Sequence, residues 1–305
     1  MFLCLFLRKG DVAIIEEKYY KVWLTLIKNL GIKRYSSLIK KFHCNKNIYL
    51  AQGNDLKDCK GVGENLIKQL LDKNIRINAK RHLQFMIKRN IDIISIEDEE
   101  YPDILKTIYD PPISLYIRGN KCALKEFNIA IIGCRDATEY GKRIAQNFSY
   151  RLSKKNMNIV SGLARGIDSM AHMGAVYAKA KTIAVVGSGL DIIYPKENFL
   201  LAEKIIQNGG AIISEYPFGT KPDKMNFVAR NRIISGLSRG VIIVEAKEKS
   251  GTLITVDFAL EQGRDVFVVP GNIDSANSVG TNELIRQGGK VVTCYEQILE
   301  ECGLL

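Results

Sequence analysis

The sequence predicts an α/β fold: a doubly wound, mostly parallel sheet preceded by a small helical domain. Three observations predict it. From residue 129 onward, seven short apolar runs alternate with amphipathic segments of helix length, as expected for strands covered on both faces by crossover helices. Glycine is divided unevenly, with six in residues 1–128 and nineteen in residues 129–305. Charge is divided too. Residues 1–90 hold 19 Lys and Arg against 7 Asp and Glu, a balance of +12, whereas residues 91–305 hold 25 against 26, a balance of −1. Such asymmetry points to a polyanion partner for the first part, although a lysine-rich solvated surface gives the same number.

The elements follow in order. MFLCLFL is apolar but too short for a signal core, has no basic segment before it and is followed by Arg8-Lys9-Gly10-Asp11; it reads as the ragged start of a first helix, not as a targeting signal. Residues 12–90 show helical spacing, as in Tyr20-x-x-Trp23-Leu24-x-x-Ile27 and Leu66-Ile67-x-x-Leu70-Leu71. Residues 91–128 read as a connector with two β-rich runs, 91–96 and 113–117, that join the following sheet. The seven strands are expected at 129–133, 157–162, 182–187, 210–214, 240–246, 265–271 and 290–293. Helices are expected near 140–155, 166–180, 198–208, 228–238, 252–262, 280–287 and 295–302. The domains are thus 1–90 and 91–305.

Composition excludes several classes. With 46% hydrophobic and 25% charged residues the chain is an ordinary globular one. No uncharged apolar run reaches about 18 residues, so no membrane span is expected. Seven cysteines at 4, 44, 59, 122, 134, 294 and 302 form no CxxC, which argues for reduced thiols and against disulfides or zinc. No metal and no cofactor is expected. The turn Gly133-Cys134-Arg135-Asp136-Ala137 lacks the second glycine of a dinucleotide fingerprint, and Gly187-Ser188-Gly189 lacks the third. Asp168 and His172 lie four apart on a predicted helix, where a structural pair is expected rather than a base or metal ligand.

In a sheet of this kind, ligands bind at the carboxyl ends of the strands. Gly, Ser and Arg are concentrated there, as in Leu163-Ala164-Arg165-Gly166 and Lys249-Ser250-Gly251. Glycine lets backbone N–H groups approach an anion, and arginine offers a two-pronged fork to phosphate. The expected site class is anion or phosphate binding shared among several loops. A second signal is Leu56-Lys57-Asp58-Cys59-Lys60-Gly61-Val62-Gly63-Glu64-Asn65-Leu66, which has the form of helix, GxG hairpin and helix. Ordinary helix connections share it, but with Lys57, Lys60 and Lys68 around Gly61 and Gly63 it also suits a nucleic-acid phosphate.

Seven ordered blocks resemble the DNA-processing protein A (DprA, or Smf) family. They are EEYPDILKTIYDPPISLYIRGN, IGCRDATEYG, SGLARGIDSMAH, KTIAVVGSGLDIIYPKEN, SEYPFGTKPDKMNFVARNRIISGLSRGVIIVEA, SGTLITVDFALEQGRDVFVVPG and VGTNELIRQGG. They cover nearly all of 91–300. The resemblance implies an extended Rossmann-like domain preceded by a SAM-like, helix-hairpin-helix-type domain. It implies a cytoplasmic bacterial protein that is not an enzyme. Such a protein binds and protects single-stranded DNA in natural transformation, loads the recombinase RecA onto it, and forms a homodimer.

By motif position, the resemblance assigns DNA contact to Arg135, to Gly162 and Arg165 of SGxARG, and to Lys196 and Asn198 of YPxxN. Gly133, Gly166 and Gly187, glycines of the strand-end turns, are counted with them as DNA-binding. Phe199, with Tyr194, is placed to stack bases, while Arg230 and Arg232 of RNR either back the pocket or touch DNA. Two departures are visible: Gly133-Cys134-Arg135 replaces the common GSR, and the winged helix of many members is not expected after the last strand. The competing class is a nucleotide phosphoribohydrolase of the lysine-decarboxylase-like group, whose catalytic Glu position holds Thr255 here. A dimer and RecA surface is expected around 252–290, because the strand-end loops must stay open to DNA.

Overall fold

One mixed sheet organises the second part of the chain, and the computed structural model describes residues 9–304 of it. The reading of MFLCLFL falls outside the described residues. Six helices come first: α1 (Lys9–Thr25), α2 (Gly31–Phe42), α3 (Asn45–Leu50), α4 (Gly53–Lys57), α5 (Glu64–Leu71) and α6 (Lys73–Lys88). Local chemistry sets their ends. His43 takes the left-handed conformation that stops α2, and the Asp72 carboxylate accepts the Asn74 N–H at 2.7 Å to start α6.

The connector then contributes β1 (Ile91–Ser95), a short α7 (Asp103–Lys106) and β2 (Ser114–Gly119). The alternating units follow: β3 (Asn128–Ile132), α8 (Glu139–Lys154), β4 (Asn158–Ser161), α9 (Ile167–Tyr177), β5 (Thr182–Val185), α10 (Phe199–Gln207), β6 (Ala211–Ser214) and α11 (Lys224–Gly236). The chain continues through β7 (Gly240–Ile243), α12 (Gly251–Glu261), β8 (Asp265–Val268), α13 (Val279–Arg286), β9 (Lys290–Val291) and α14 (Tyr295–Glu301). Strand order is β1-β2-β6-β5-β4-β3-β7-β8-β9. Pairing is parallel from β6 through to β9, and β1 and β2 add an antiparallel edge.

This is the doubly wound α/β fold expected. The differences are local. The runs 240–246 and 265–271 are longer than β7 and β8 because Val244, Ala246 and Val269 stay buried after the ladder has ended. Burial makes a residue apolar whether or not its backbone pairs. Helix α11 starts at Lys224, four residues before expectation, because Asp223 caps it by accepting the Met225 N–H at 2.8 Å. Among the described residues no helix is long and apolar enough to cross a membrane.

The helical part does not stand apart from the sheet. Trp23, Tyr35 and Leu38 belong to the same buried cluster as Ile93, Tyr116, Ala184 and Ile212 from the strands. The Tyr116 hydroxyl lies 2.6 Å from Thr25 Oγ1, and Lys21 Nζ pairs with the Asp98 carboxylate at 2.7 Å with both side chains largely buried. Phe218, in the loop after β6, packs against His82 and Phe85 of α6 and against Tyr116 of β2 at centroid distances of 5.7, 4.7 and 5.2 Å. The backbone N–H of Gly219 next to it donates to Asp191 of the loop after β5.

Candidate nucleic-acid interface

Strands β3 and β7 are neighbours, yet the chain leaves them in opposite directions, toward β4 and toward β8. That divergence opens a crevice at their carboxyl ends. Here it is a groove of about 930 Å³, lined by the turn 133–136, by Ala164 and Tyr194, by one side of α11, and by 247–255 at the start of α12. At one end lies a recess of about 40 Å³ lined by Arg135, Gly162, Ala164, Arg165, Tyr194, Pro195, Phe227 and Arg230.

The glycines expected in the turns are required by close packing. A Cβ on Gly162 would lie 2.6 Å from the Arg230 guanidinium and 2.7 Å from Asp168 Oδ2. Gly166 has a φ of +73° and presses on the carbonyls of Cys134 and Arg135, so a side chain there is excluded twice. Gly133 is tight against Ile167, and Gly187 against the ring of Phe227.

The cationic residues divide by what already holds them. Arg135 is exposed, makes no ion pair among the described residues, and lies 5.5 Å from the Phe227 ring centroid. Tyr194 also stacks on Phe227, at 5.6 Å and 26°. Lys196 is exposed in the turn Lys196–Asn198, again without an ion pair among the described residues. Arg165 is exposed but bound in a two-pronged pair with Glu197. Phe199 and Tyr194 are 51% and 43% exposed, enough ring surface for a base to stack on.

Three of the expected site residues are held by the protein's own groups. Asn198 is buried, and its amide NH₂ donates to the Leu163 carbonyl at 2.8 Å and to Ser169 Oγ at 2.9 Å, tying the YPxxN turn to the SGxARG loop. Arg230 is 5% exposed and donates to the carbonyls of Gly162 and Val185, fastening the ends of β4 and β5 to α11. Arg232 grips Glu215 with two hydrogen bonds at 2.9 and 2.7 Å and donates to the Asp110 carbonyl, and it does not line the groove. Of the two readings of RNR, backing is what the geometry supplies.

Asp168 and His172 do not hydrogen-bond each other. Asp168 accepts the N–H groups of Gly162 and Ala164 at 3.2 and 3.4 Å. Burial pushes its carboxyl up, opposed by the Arg230 charge. Burial likewise pulls Arg230 down to about 10, opposed by Asp168. His172 shares a 2.8 Å hydrogen bond with Thr182 Oγ1. That hydroxyl itself donates to the Ile159 carbonyl at 2.6 Å. The ring therefore donates from Nδ1 and is neutral. Burial, helped by Arg230, pulls its pKa down to about 3. Thr255 is buried with its hydroxyl toward the Gly251 carbonyl, so the position of the hydrolase acid holds no proton-transfer group.

Sequence reasoning missed Phe227 and Glu245. Phe227 lies three residues before Arg230 on α11, a spacing that puts both on one helix face and was readable. Glu245 is buried at the amino end of α8, accepting the N–H and hydroxyl of Thr138. Its place between Val244 and Ala246 in an apolar run was the readable signal of burial. The GxG hairpin is formed between α4 and α5: Gly61 has a φ of +80°, Arg34 donates to its carbonyl at 3.0 Å, and Lys57, Lys60, Gly63 and Lys68 are all exposed. It lies on the helical part and shares no lining residue with the groove.

Glycine turns at the carboxyl ends of a doubly wound sheet, with cations that make no ion pair among the described residues beside aromatic faces, define a Rossmann-like α/β protein with a cationic strand-end groove. Residues 92–303 match the family described as DNA recombination-mediator protein A, and the chain belongs to that family. It is 44% identical over 239 residues to the DNA processing protein DprA of Bacillus subtilis, covering 78% of each chain. It is 36% identical over 298 residues to the protein Smf of Synechocystis, covering 96% of this chain and 74% of that one. The solved DNA processing protein A of Streptococcus pneumoniae superposes with a TM-score of 0.76 at 36% identity, covering 93% of this chain and 97% of that one. That of Helicobacter pylori, solved to describe its single-stranded DNA binding mode, gives 0.62 at 33% identity, covering 69% and 95%.

Proposed function

We propose that this chain binds single-stranded DNA at the recess end of the groove, protects it during natural transformation, and loads RecA onto it as a cytoplasmic homodimer. The observation that carries the DNA reading is the selective availability of charge. Arg135 and Lys196 make no ion pair among the described residues, whereas Arg165, Arg230 and Arg232 are engaged. Sequence-tolerant binding of a single strand needs phosphate contacts and stacking faces, and Tyr194, Phe227 and Phe199 supply the faces. Family membership supports the mediator role. The dimer reading draws support from exposed Leu260, Ile273 and Val279, all within 252–290, while Val256 and Ala259 of α12 are spent on the sheet. The hairpin is read as a secondary phosphate contact.

Binding of a fluorescent oligo-dT to Arg135→Ala and Lys196→Ala tests the site. Each loss is expected to cost about 1.5–3 kcal/mol, roughly ten- to a hundredfold in affinity, with unchanged circular dichroism. Wild-type affinity in both variants would sink the reading. Sedimentation of the wild type at micromolar concentration tests the dimer, and a monomer there would refute it.

A further inference from the structure

Arg135 projects from a turn, residues 133–138, that has no regular structure of its own. A side chain on irregular backbone aims loosely unless other elements fix that backbone. Here three fixings bracket Arg135, and each comes from elsewhere in the chain. Before it, the Cys134 carbonyl accepts the Ile167 N–H at 3.2 Å. After it, the Asp136 carbonyl accepts an N–H of the Asn277 side-chain amide at 2.7 Å. Beyond that, the Glu245 carboxylate accepts the Thr138 N–H at 3.0 Å and also the Thr138 hydroxyl.

Asn277 and Glu245 are 8% and 1% exposed, and neither lines the groove or the recess. They meet each other, the Asn277 amide lying 3.4 Å from Glu245 Oε2. Their support is stiff. Asn277 stands in the loop between β8 and α13, where the Pro270 carbonyl accepts the Tyr140 hydroxyl at 2.9 Å and the Gly271 carbonyl accepts the Asn282 amide at 3.1 Å. Just past it, the Gly280 N–H donates to the Ala246 carbonyl at 2.8 Å. The Glu245 carboxylate packs so closely on Gly141 that a Cβ there is excluded. A carboxylate beneath a phosphate-binding turn weakens the turn's attraction for an anion, so any gain for binding from this pair is geometric.

We infer that Asn277, backed by Glu245, is a positioning residue for the Arg135 contact: its amide holds the turn in the conformation that presents the guanidinium to the strand at the recess. It touches no DNA itself. This rests on the DNA reading of the recess.

The test is binding of fluorescent oligo-dT to Asn277→Ala and Asn277→Leu, each alone and combined with Arg135→Ala. Leucine fills nearly the space of asparagine but donates no hydrogen bond. Each single Asn277 variant should bind roughly three- to tenfold more weakly, the net worth of one hydrogen bond, with unchanged circular dichroism and sedimentation. In the Arg135→Ala background the same substitutions should change affinity by less than about twofold, because a residue that acts through Arg135 has nothing left to position. A loss of equal size in both backgrounds would overturn the inference, since damage to the fold or to an assembly does not depend on Arg135. So would wild-type affinity in both single variants, or wild-type affinity in the leucine variant alone, which would make packing the cause. Undiminished binding by Arg135→Ala would instead overturn the recess reading, and the positioning role with it.

Discussion

The helical part and the sheet part use positive charge in opposite ways. Residues 1–90 carry +12, spread over exposed lysines such as Lys57, Lys60 and Lys68, while residues 91–305 carry −1. Yet the groove belongs to the second. There, several cations are neutralised in place, as in Arg118 with Glu203, Lys181 with Glu126 and Arg232 with Glu215. Of those without an ion pair among the described residues, Arg135 and Lys196 stand in strand-end loops beside the recess. Bulk charge raises the local concentration of any polyanion and is weakened by salt, whereas a placed guanidinium fixes where the strand lies. Net charge therefore locates attraction, and the placement of individual cations beside aromatic faces locates the site.

The largest effect is expected from breaking the seam between the two parts. Tyr116→Ala removes a fully buried ring shared by the helices and the sheet. It should cost about 3–5 kcal/mol of folding stability, the usual range for truncating a large aromatic in a core, read by denaturant unfolding. A loss under about 1 kcal/mol would mean that the parts are separable. The same seam makes deletion of residues 1–90 a poor probe of the hairpin, because it strips the sheet's own core.

A smaller effect follows pH. His172 is neutral when folded, with a pKa near 3 against an ordinary value of 6.5. Between these values the unfolded chain takes up a proton that the folded chain refuses. Its contribution to stability is therefore complete above about pH 6.5 and declines as pH falls toward 3. Asp168, pushed up from 3.8, works in the opposite sense at the acid end, so the histidine is isolated by difference. Unfolding of the wild type and His172→Gln at pH 7 and pH 5 should show a smaller pH penalty in the variant. Equal penalties would show that His172 is not the group responsible.

The smallest effect belongs to the hairpin. Lys57→Ala with Lys60→Ala in the full chain should lower affinity for single and double strands alike and flatten the salt slope by about 1.4 for single and about 1.8 for double strands, one phosphate being lost with each lysine. A change in preference between the two would give the hairpin a discriminating role and blur the contrast between bulk and placed charge.

Much of this was legible because it rests on periodicity and on glycine. The strands and helices from 129 onward match their apolar runs to within a few residues, since β3 to β7 are buried along their whole length and cannot disguise themselves. The turns were legible because Gly162 and Gly166 leave room for nothing else. Roles that depend on distant partners were not. Asn198 and Arg230 look like ligand residues in sequence, and only the carbonyls of Leu163, Gly162 and Val185 reveal them as ties within the wall. The spacing of Asp168 and His172 suggested a pair, but the backbone amides and Thr182 compete for them successfully.

Phe218 has a consequence in time. The face of α6 that it covers, at His82 and Phe85, is made up to 136 residues before Phe218 itself. At synthesis rates of about 5–20 residues per second, that face waits roughly 7 to 27 seconds on the ribosome for its cover. Tyr116 arrives sooner but belongs to β2, which then has only β1 beside it because its other neighbour, β6, is still unmade. Through that interval the helical segment must hold an uncovered aromatic surface without aggregating. Its surplus of lysine, beyond any attraction for DNA, keeps such nascent chains apart by mutual repulsion.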